Sequence, residues 1–353
     1  MKHIKKLALL ILAASLVLLP ACEQRTADIS PTPDDTVSPP RGLVVYFLDV
    51  GQADAAFIEC DGEYMLVDGG NAADSDLVYS FLKNHEADHL KYIIGTHAHE
   101  DHIGGLSGAL AYASVDTAYC PVTEFDSTAF NNFVRRLGEQ GKAITVPNPG
   151  GKLTLGTATI EIIGPLKQSN NTNNTSIVFK LSYGEVSFLF TGDCERDEES
   201  DILEAGYDIS ATVLKVAHHG SDTSTSYPFL RAVMPQYAVI SCGKDNSYKH
   251  PHDDTLSKLR DADVLLYRTD LQGMITATSD GSSITFITER NANVVTNPTS
   301  SVPAYDYYIG NVKTQKLHSP DCGNLPSENN RVYFDTLDEA LAAGYEKHST
   351  CLP

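Results

Sequence analysis

Three imidazoles and two carboxylates fall within six residues, in His97-Ala-His99-Glu-Asp101-His102, and Gly104 and Gly105 follow at once. Alternate residues of an extended chain point the same way, so His97 and His99 share a side and can close on one metal ion. Histidine and carboxylate donors suit zinc, manganese or iron(II) rather than a thiolate cluster. Their chemistry would be hydrolysis: a metal activates water at neutral pH, and a metal pair stabilises the attacking and leaving oxygens together. More polar clusters end apolar runs, at Asp68, Asp193, His218 with His219, and His250 with His252. Loops gathered at one edge of a scaffold commonly build a site in this way.

The elements that must position these residues alternate in type. Leu43 to Leu48 has a buried-strand pattern, and Ala55 to Cys60 and Tyr64 to Val67 form a hairpin about Asp61-Gly62. A helix over Asp76 to Asn84 precedes the strand that ends at the histidines. Helices follow at Leu106 to Tyr112, Thr128 to Gln140 and Glu195 to Ala205, the last of them acidic. Strands are expected at Thr117 to Cys120, Ala143 to Val146, Leu153 to Ile163, Ile177 to Ser182, Val186 to Phe190, Ala211 to Ala217 and Tyr237 to Cys242. A helix at Asp254 to Asp261 and closing strands at Val264 to Tyr267, Met274 to Thr278 and Ser283 to Thr288 complete an α/β pattern. His85 and His89 lie upstream of the site and read as packing or surface residues.

The chain has 353 residues and a net charge of -20, and it loses Lys2, Lys5 and Lys6 with the expected leader. Such acidity argues against a broad basic face for nucleic acid. It leaves open a polyanion at a metal site, where the cations are the largest local charges. Residues 1–22 read as a secretory signal: a basic start, an apolar run from Leu7 to Leu19, and Leu19-Pro20-Ala21-Cys22. That ending resembles a bacterial lipobox with Cys22 as the lipid anchor, although Pro20 departs from it, and plain cleavage is the alternative. Residues 23–41 are a flexible tether. The expected location is the extracellular face of the bacterial cytoplasmic membrane, or the medium. The membrane would be met through the lipid only, with no spanning helix in the mature chain. Cys60, Cys120, Cys194 and Cys242 lie in or beside apolar strands and read as buried thiols.

The signature His97-x-His99-x-Asp101-His102 is similar to that of the metallo-β-lactamase superfamily. Phe47-Leu-Asp-Val-Gly-Gln-Ala-Asp54, Asn173-Asn-Thr-Ser176, Leu189-Phe-Thr-Gly-Asp193, Leu214-Lys-Val-Ala-His-His-Gly-Ser221 and His250-Pro-His252 resemble, in order, the hydrolase domain of ComEC/Rec2 competence proteins and their stand-alone relatives. The resemblance implies a four-layer αββα sandwich over residues 42–290. It implies two divalent metals, zinc or manganese. His97 and His99 would bind the first, Asp101 and His102 the second, and Asp193 both. One of His218 and His219 would complete the second site, with His218 favoured as nearer the strand end. Asp101, Asp193 and His250 would be catalytic. Asp68 would orient a ligand imidazole. Asn173, Asn174, Ser176 and His252 would contact a ligand or the substrate. The superfamily's third histidine for the first metal is missing, because no histidine lies between Ile103 and Gly192.

Residues 291–304 read as a linker, and residues 305–353 as a small module. That module resembles a metal-binding segment appended to secreted nucleases and found in Ada-type repair proteins. Its donors would be His318, Cys322, His348 and Cys351, a set suited to one structural zinc. A unit this small needs a staple; a Cys322–Cys351 disulfide is the alternative. Together the two resemblances imply a secreted or lipid-anchored phosphodiesterase or nuclease acting on DNA or a cell-surface phosphodiester. The alternatives are a hydrolase of another surface ester such as phosphorylcholine, and an inactive DNA- or wall-binding lipoprotein.

Overall fold

A computed structural model describes residues 42–298 and 307–352. The expected leader with Cys22, the tether to residue 41 and residues 299–306 lie outside the described residues. The first half of the chain supplies β1 (Leu43–Phe47), β2 (Ala56–Cys60), β3 (Glu63–Val67), α1 (Ser75–Asn84), β4 (His89–Ile94), α2 (Glu100–Ile103), α3 (Leu106–Tyr112), β5 (Ser114–Tyr119), α4 (Thr128–Glu139) and β6 (Ile144–Thr145). The second half supplies β7 (Lys152–Leu155), β8 (Ala158–Ile162), β9 (Phe179–Tyr183), β10 (Val186–Phe190), α5 (Arg196–Ala205), β11 (Val213–Lys215), α6 (Tyr227–Val233), β12 (Tyr237–Ile240), α7 (Asp253–Asp261), β13 (Leu265–Arg268) and α8 (Thr269–Gln272). Then β14 (Ile275–Ser279) and β15 (Ile284–Thr288) return to the first sheet.

Two sheets result, ordered β15-β14-β1-β2-β3-β4-β5-β6 and β13-β12-β11-β10-β9-β8-β7. Phe47, Ile58, Met65 and Val67 of the first meet Ile160, Phe179, Phe188 and Phe190 of the second in a shared core. The outer face of the first sheet is covered by Val78, Leu82, Leu106, Phe130 and Phe133 from α1, α3 and α4. The outer face of the second is covered by Ile202, Phe229, Leu230 and Leu259 from α5, α6 and α7. The architecture is therefore the expected αββα sandwich. Sheets covered on both faces need apolar residues on both, so the central strands read as continuous apolar runs.

Helix α4 shows how locally this is specified. The Ser127 Oγ accepts the N–H of Phe130 at 3.1 Å and caps the helix. Ala129, Phe130, Phe133 and Leu137 form one buried stripe at helical spacing. Phe133 is completely buried, so its truncation to alanine costs about 3–5 kcal/mol.

Three readings of the chain change. The strand expected over Leu153 to Ile163 is a hairpin of β7 and β8 that turns at Gly156. Gly156 has φ +54°, and a Cβ there would come within 2.5 Å of the Cys60 carbonyl oxygen, so only glycine fits. Helix α6 falls in a stretch with no assigned element. It is capped by Ser226 and clamped by the buried Glu199, which accepts the N–H groups of Thr225 and Ser226. The strand expected through Ala217 is only β11; Ala217–Gly220 is a tight turn in which His218 and His219 both have left-handed backbone, φ 51° and 55°.

Cys60, Cys120, Cys194 and Cys242 are buried free thiols. No helix among the described residues is long and apolar enough to cross a membrane. The tail forms β16 (Tyr308–Asn311), β17 (Lys316–His318), β18 (Arg331–Phe334), α9 (Leu337–Ala342) and β19 (Glu346–Lys347), with sheet order β18-β16-β17-β19. Its small core is Tyr308, Leu317, Phe334, Ala340 and Leu352. It is also bonded to the helices beneath. Lys347 Nζ lies 2.7 Å from Ser257 Oγ and 2.9 Å from Asp261 Oδ2, and Arg196 pairs with Glu346 at 2.6 Å.

Candidate metal centre

Strands β3, β4 and β5 are parallel, as are β10, β11 and β12, so their C-terminal ends open on one edge. The first sheet delivers Asp68 after β3 and His97 to His102 after β4. The second delivers Asp193 after β10, His218 and His219 after β11, and His250 after β12. The histidine turn is packed tightly against its neighbour: a Cβ on Gly105 would sit 1.9 Å from the Gly69 carbonyl oxygen.

One donor atom each from Asp101, His102, Asp193 and His219 converge within 4.8 Å of one another. His102 Nε2 lies 3.2 Å from Asp193 Oδ1; His219 Nε2 lies 3.3 Å from Asp101 Oδ2 and 3.7 Å from Asp193 Oδ2. Four tetrahedral ligands about 2.1 Å from a zinc would stand about 3.4 Å apart. His102 Nε2 and Asp193 Oδ1 are buried and make no hydrogen bond, a costly state unless a cation satisfies them. The donor set therefore fits a divalent metal.

Each donor is held from behind. His102 Nδ1 contacts Asp68 Oδ2 at 2.9 Å, and Asp68 in turn accepts the Thr96 N–H at 2.7 Å and hydroxyl at 2.8 Å. His219 Nδ1 contacts the Ser241 carbonyl at 3.0 Å and Asp54 Oδ1 at 3.3 Å. Asp54 is paired at 2.8 Å with the buried ammonium of Lys215. The Asp193 N–H donates to Ser176 Oγ at 3.0 Å. Asn174 Oδ1 accepts the Glu195 N–H, and Asn173 Nδ2 donates to Glu195 Oε1. The Asn173 to Ser176 loop thus braces the turn that carries Asp193, and Asn173 Oδ1 is buried without a partner.

Electrostatics follow the same grouping. Burial opposes charge on Asp193, yet His102 and His219 hold its carboxyl well below the usual range. Burial lowers the His219 pKa, but Asp193 and Asp54 overcome it and push it up to about 10. Asp101 is also penalised by burial and is drawn down to about 2 by His102. Such a crowd of carboxylates favours any cation, proton or metal.

His97 Nε2 faces His99 Nδ1 at 2.9 Å and stands 3.9 Å from Asp193 Oδ2. Among the described residues, neither histidine joins a group of three or more metal-capable donors. His219 rather than His218 belongs to the four-residue group, a correction to the order of preference. The two left-handed residues turn the chain so that the second imidazole swings inward. His218 remains at the rim, 3.7 Å from Asp193 Oδ2 and 3.3 Å from Glu195 Oε1. His250 lies over the site, its ring 6.2 Å from that of His219, and its Nδ1 contacts Gln52 at 3.2 Å. His252 has both ring nitrogens engaged, Nδ1 by the N–H of Asp222 in the segment after β11 and Nε2 near the Tyr248 carbonyl of its own loop. The sequence alone assigns no role to Asp54 or Lys215. Asp54 looks like a turn residue and Lys215 like one polar break in an apolar strand; nothing local says that they meet.

In the tail, His318, Cys322, His348 and Cys351 bring one donor each together. Cys322 Sγ lies 3.3 Å from His318 Nδ1 and 3.7 Å from His348 Nδ1; Cys351 Sγ lies 3.4 Å from His348 Nδ1. Both cysteines are free thiols, so no disulfide joins them. Two nitrogens and two sulfurs at these separations fit a closed tetrahedral zinc.

Residues 48–244 match the metallo-beta-lactamase superfamily. The chain is 29% identical over 250 residues to ComE operon protein 3 of Bacillus subtilis (strain 168), covering 65% of this chain and 32% of that protein. It is 30% identical over 241 residues to Competence protein ComA of Neisseria gonorrhoeae, covering 67% of this chain and 32% of that protein. It is 31% identical over 235 residues to Recombination protein 2 of Haemophilus influenzae (strain ATCC 51907 / DSM 11121 / KW20 / Rd), covering 65% and 28%. The chain therefore spans about a third of the length of these relatives.

Proposed function

The chain belongs to the metallo-beta-lactamase superfamily, and on that footing we propose that it is a phosphodiesterase acting on DNA or a related phosphodiester. The observation that carries this is the convergence of Asp101, His102, Asp193 and His219 from two sheets, with the buried His102 Nε2 and Asp193 Oδ1 making no hydrogen bond. The names competence protein and recombination protein, borne by two relatives, support nucleic acid as the substrate. Asp101, His102, Asp193 and His219 would hold one divalent cation, and His97 and His99 would begin a second position sharing Asp193. Zinc or manganese suits both. A cation bound there supplies Lewis acidity and acidifies water.

The chain's own residues do the rest. Asp68 fixes His102, and Asp54 with Ser241 fixes His219, so both imidazoles present Nε2 without a search. Burial and the neighbouring His219 lower the His250 pKa to about 4, so this imidazole is neutral at pH 7. It can exchange a hydrogen bond with a leaving oxygen at the rim. The tail set His318, Cys322, His348 and Cys351 would hold one structural zinc. Cys22 would tether the enzyme outside the cytoplasm.

The test is turnover of single-stranded DNA and of bis(p-nitrophenyl) phosphate by the purified protein with Mn²⁺ or Zn²⁺. Activity that disappears in Asp193→Ala and His219→Ala supports the reading. No activity with either metal, or activity unchanged in both variants, overturns it.

A further inference from the structure

We propose that the loop carrying Tyr248 is a base-stacking subsite, and that the substrate is therefore a single-stranded nucleic acid. This rests on the phosphodiesterase reading and narrows its substrate class. The Tyr248 ring lies on that of His250, 5.6 Å between centroids and 23° from parallel. His250 lies on His219 at 6.2 Å and 25°. The three rings form a ladder that begins at the metal donors and ends in solvent, where Tyr248 is 65% exposed. An exposed tyrosine at the top of such a ladder offers one free π-face to whatever leaves the metal centre along it.

The platform is preorganised. Asn246 donates to the Gly243 and His250 carbonyls and accepts the His250 N–H at 3.0 Å. Gln52 ties the loop to the opposite sheet through the Gly243 N–H at 3.1 Å and His250 Nδ1 at 3.2 Å. A fixed aromatic face loses little freedom when a base settles on it. Lys244 and Lys249 flank Tyr248 and are exposed. Neither stands within ion-pair distance of a described carboxylate, in a chain of net charge -20. Two exposed ammonium groups on the loop that carries the aromatic face suit a strand of alternating bases and phosphates. Stacking requires an unpaired base, because the faces in a duplex are already stacked on each other. The subsite then holds a nucleotide neighbouring the one at the metals.

The experiment measures binding of a fluorescein-labelled, phosphorothioate oligothymidylate to the metal-loaded full chain by anisotropy. Tyr248→Ala should weaken it by about tenfold, while Tyr248→Phe, which keeps the ring, should stay within about twofold. Lys244→Ala with Lys249→Ala should flatten the log–log salt slope by about 1.4. Unchanged affinity in Tyr248→Ala, a duplex bound as tightly as the single strand, or Tyr248→Phe failing as fully as the alanine variant would each overturn the subsite. So would displacement of the oligonucleotide by phosphorylcholine alone, which marks the ring as a quaternary-ammonium site. Tyr248-dependent binding without any hydrolysis removes the enzyme reading and leaves the subsite. Hydrolysis with Tyr248-independent binding does the reverse.

Discussion

The two donor clusters are built on opposite plans. The body cluster uses two carboxylates and two imidazoles, drawn from sequence positions far apart and from both sheets. It is crowded with further acids, Asp54 and Asp68, and it opens at a rim where His218 and His250 stand. The tail cluster uses two thiols and two imidazoles within a module of its own, and these make a full tetrahedral set. Open, anionic, oxygen-rich sites suit catalysis, and closed sulfur-nitrogen sites suit structure. What separates the clusters is therefore the neighbourhood of the donors rather than their number.

The sharpest way to break that comparison is to remove one donor from each. Asp193→Ala should lower turnover of bis(p-nitrophenyl) phosphate by at least about 10³-fold. Elemental analysis should show the body metal gone and the tail metal kept. Next in size, Asp54→Asn keeps the shape behind His219 and deletes its charge. Co²⁺ affinity of the body site, read by absorption titration, should fall about 10- to 100-fold; an unchanged affinity would mean that Ser241 alone holds the ring. Cys322→Ser should strip the tail of metal and of hydrogen-exchange protection over residues 307–352, with turnover kept within about threefold. Turnover lost as fully as in Asp193→Ala would erase the distinction.

The smallest effect is in pH, and it runs in opposite directions. In metal-free protein His219 titrates near 10, above its unfolded value, because Asp193 and Asp54 outweigh burial. Its contribution is complete below about pH 6.5 and is lost as pH rises through 10. In the tail, burial and then His348 lower the His318 pKa to about 4. The folded tail prefers the neutral ring, so its stability falls as pH drops from about 6.5 towards 4. Hydrogen exchange read separately for the two regions should show the body loosening at high pH and the tail at low pH. Bound metal should abolish both trends.

Much of this was legible in the chain. The histidine turn, the hairpin at Asp61-Gly62 and helix α3 carry local signals, because each depends on residues a few positions apart. The four tail donors fall in two close pairs, His318 with Cys322 and His348 with Cys351, which the fold brings together across 26 positions. The failures are non-local. Whether His218 or His219 turns inward depends on two left-handed residues, which proximity to a strand end does not reveal. Asp54 and Lys215 are 161 positions apart, and their pairing exists only once the sheets face each other. The buried Glu199 reads as one more surface acid of α5 until α6 is laid across it. Lys347 looks like a solvated tail lysine, yet Ser257 and Asp261 bury it.

The body cluster sits on the seam between the two sheets, and each side contributes two of the four donors. Asp101 and His102 arrive early in synthesis; Asp193 follows 91 residues after His102, and His219 117 residues after it. Two donors cannot retain an ion that four can. A site built this way would be complete only once both halves have docked in register, so its metal affinity would report the packing of one sheet on the other.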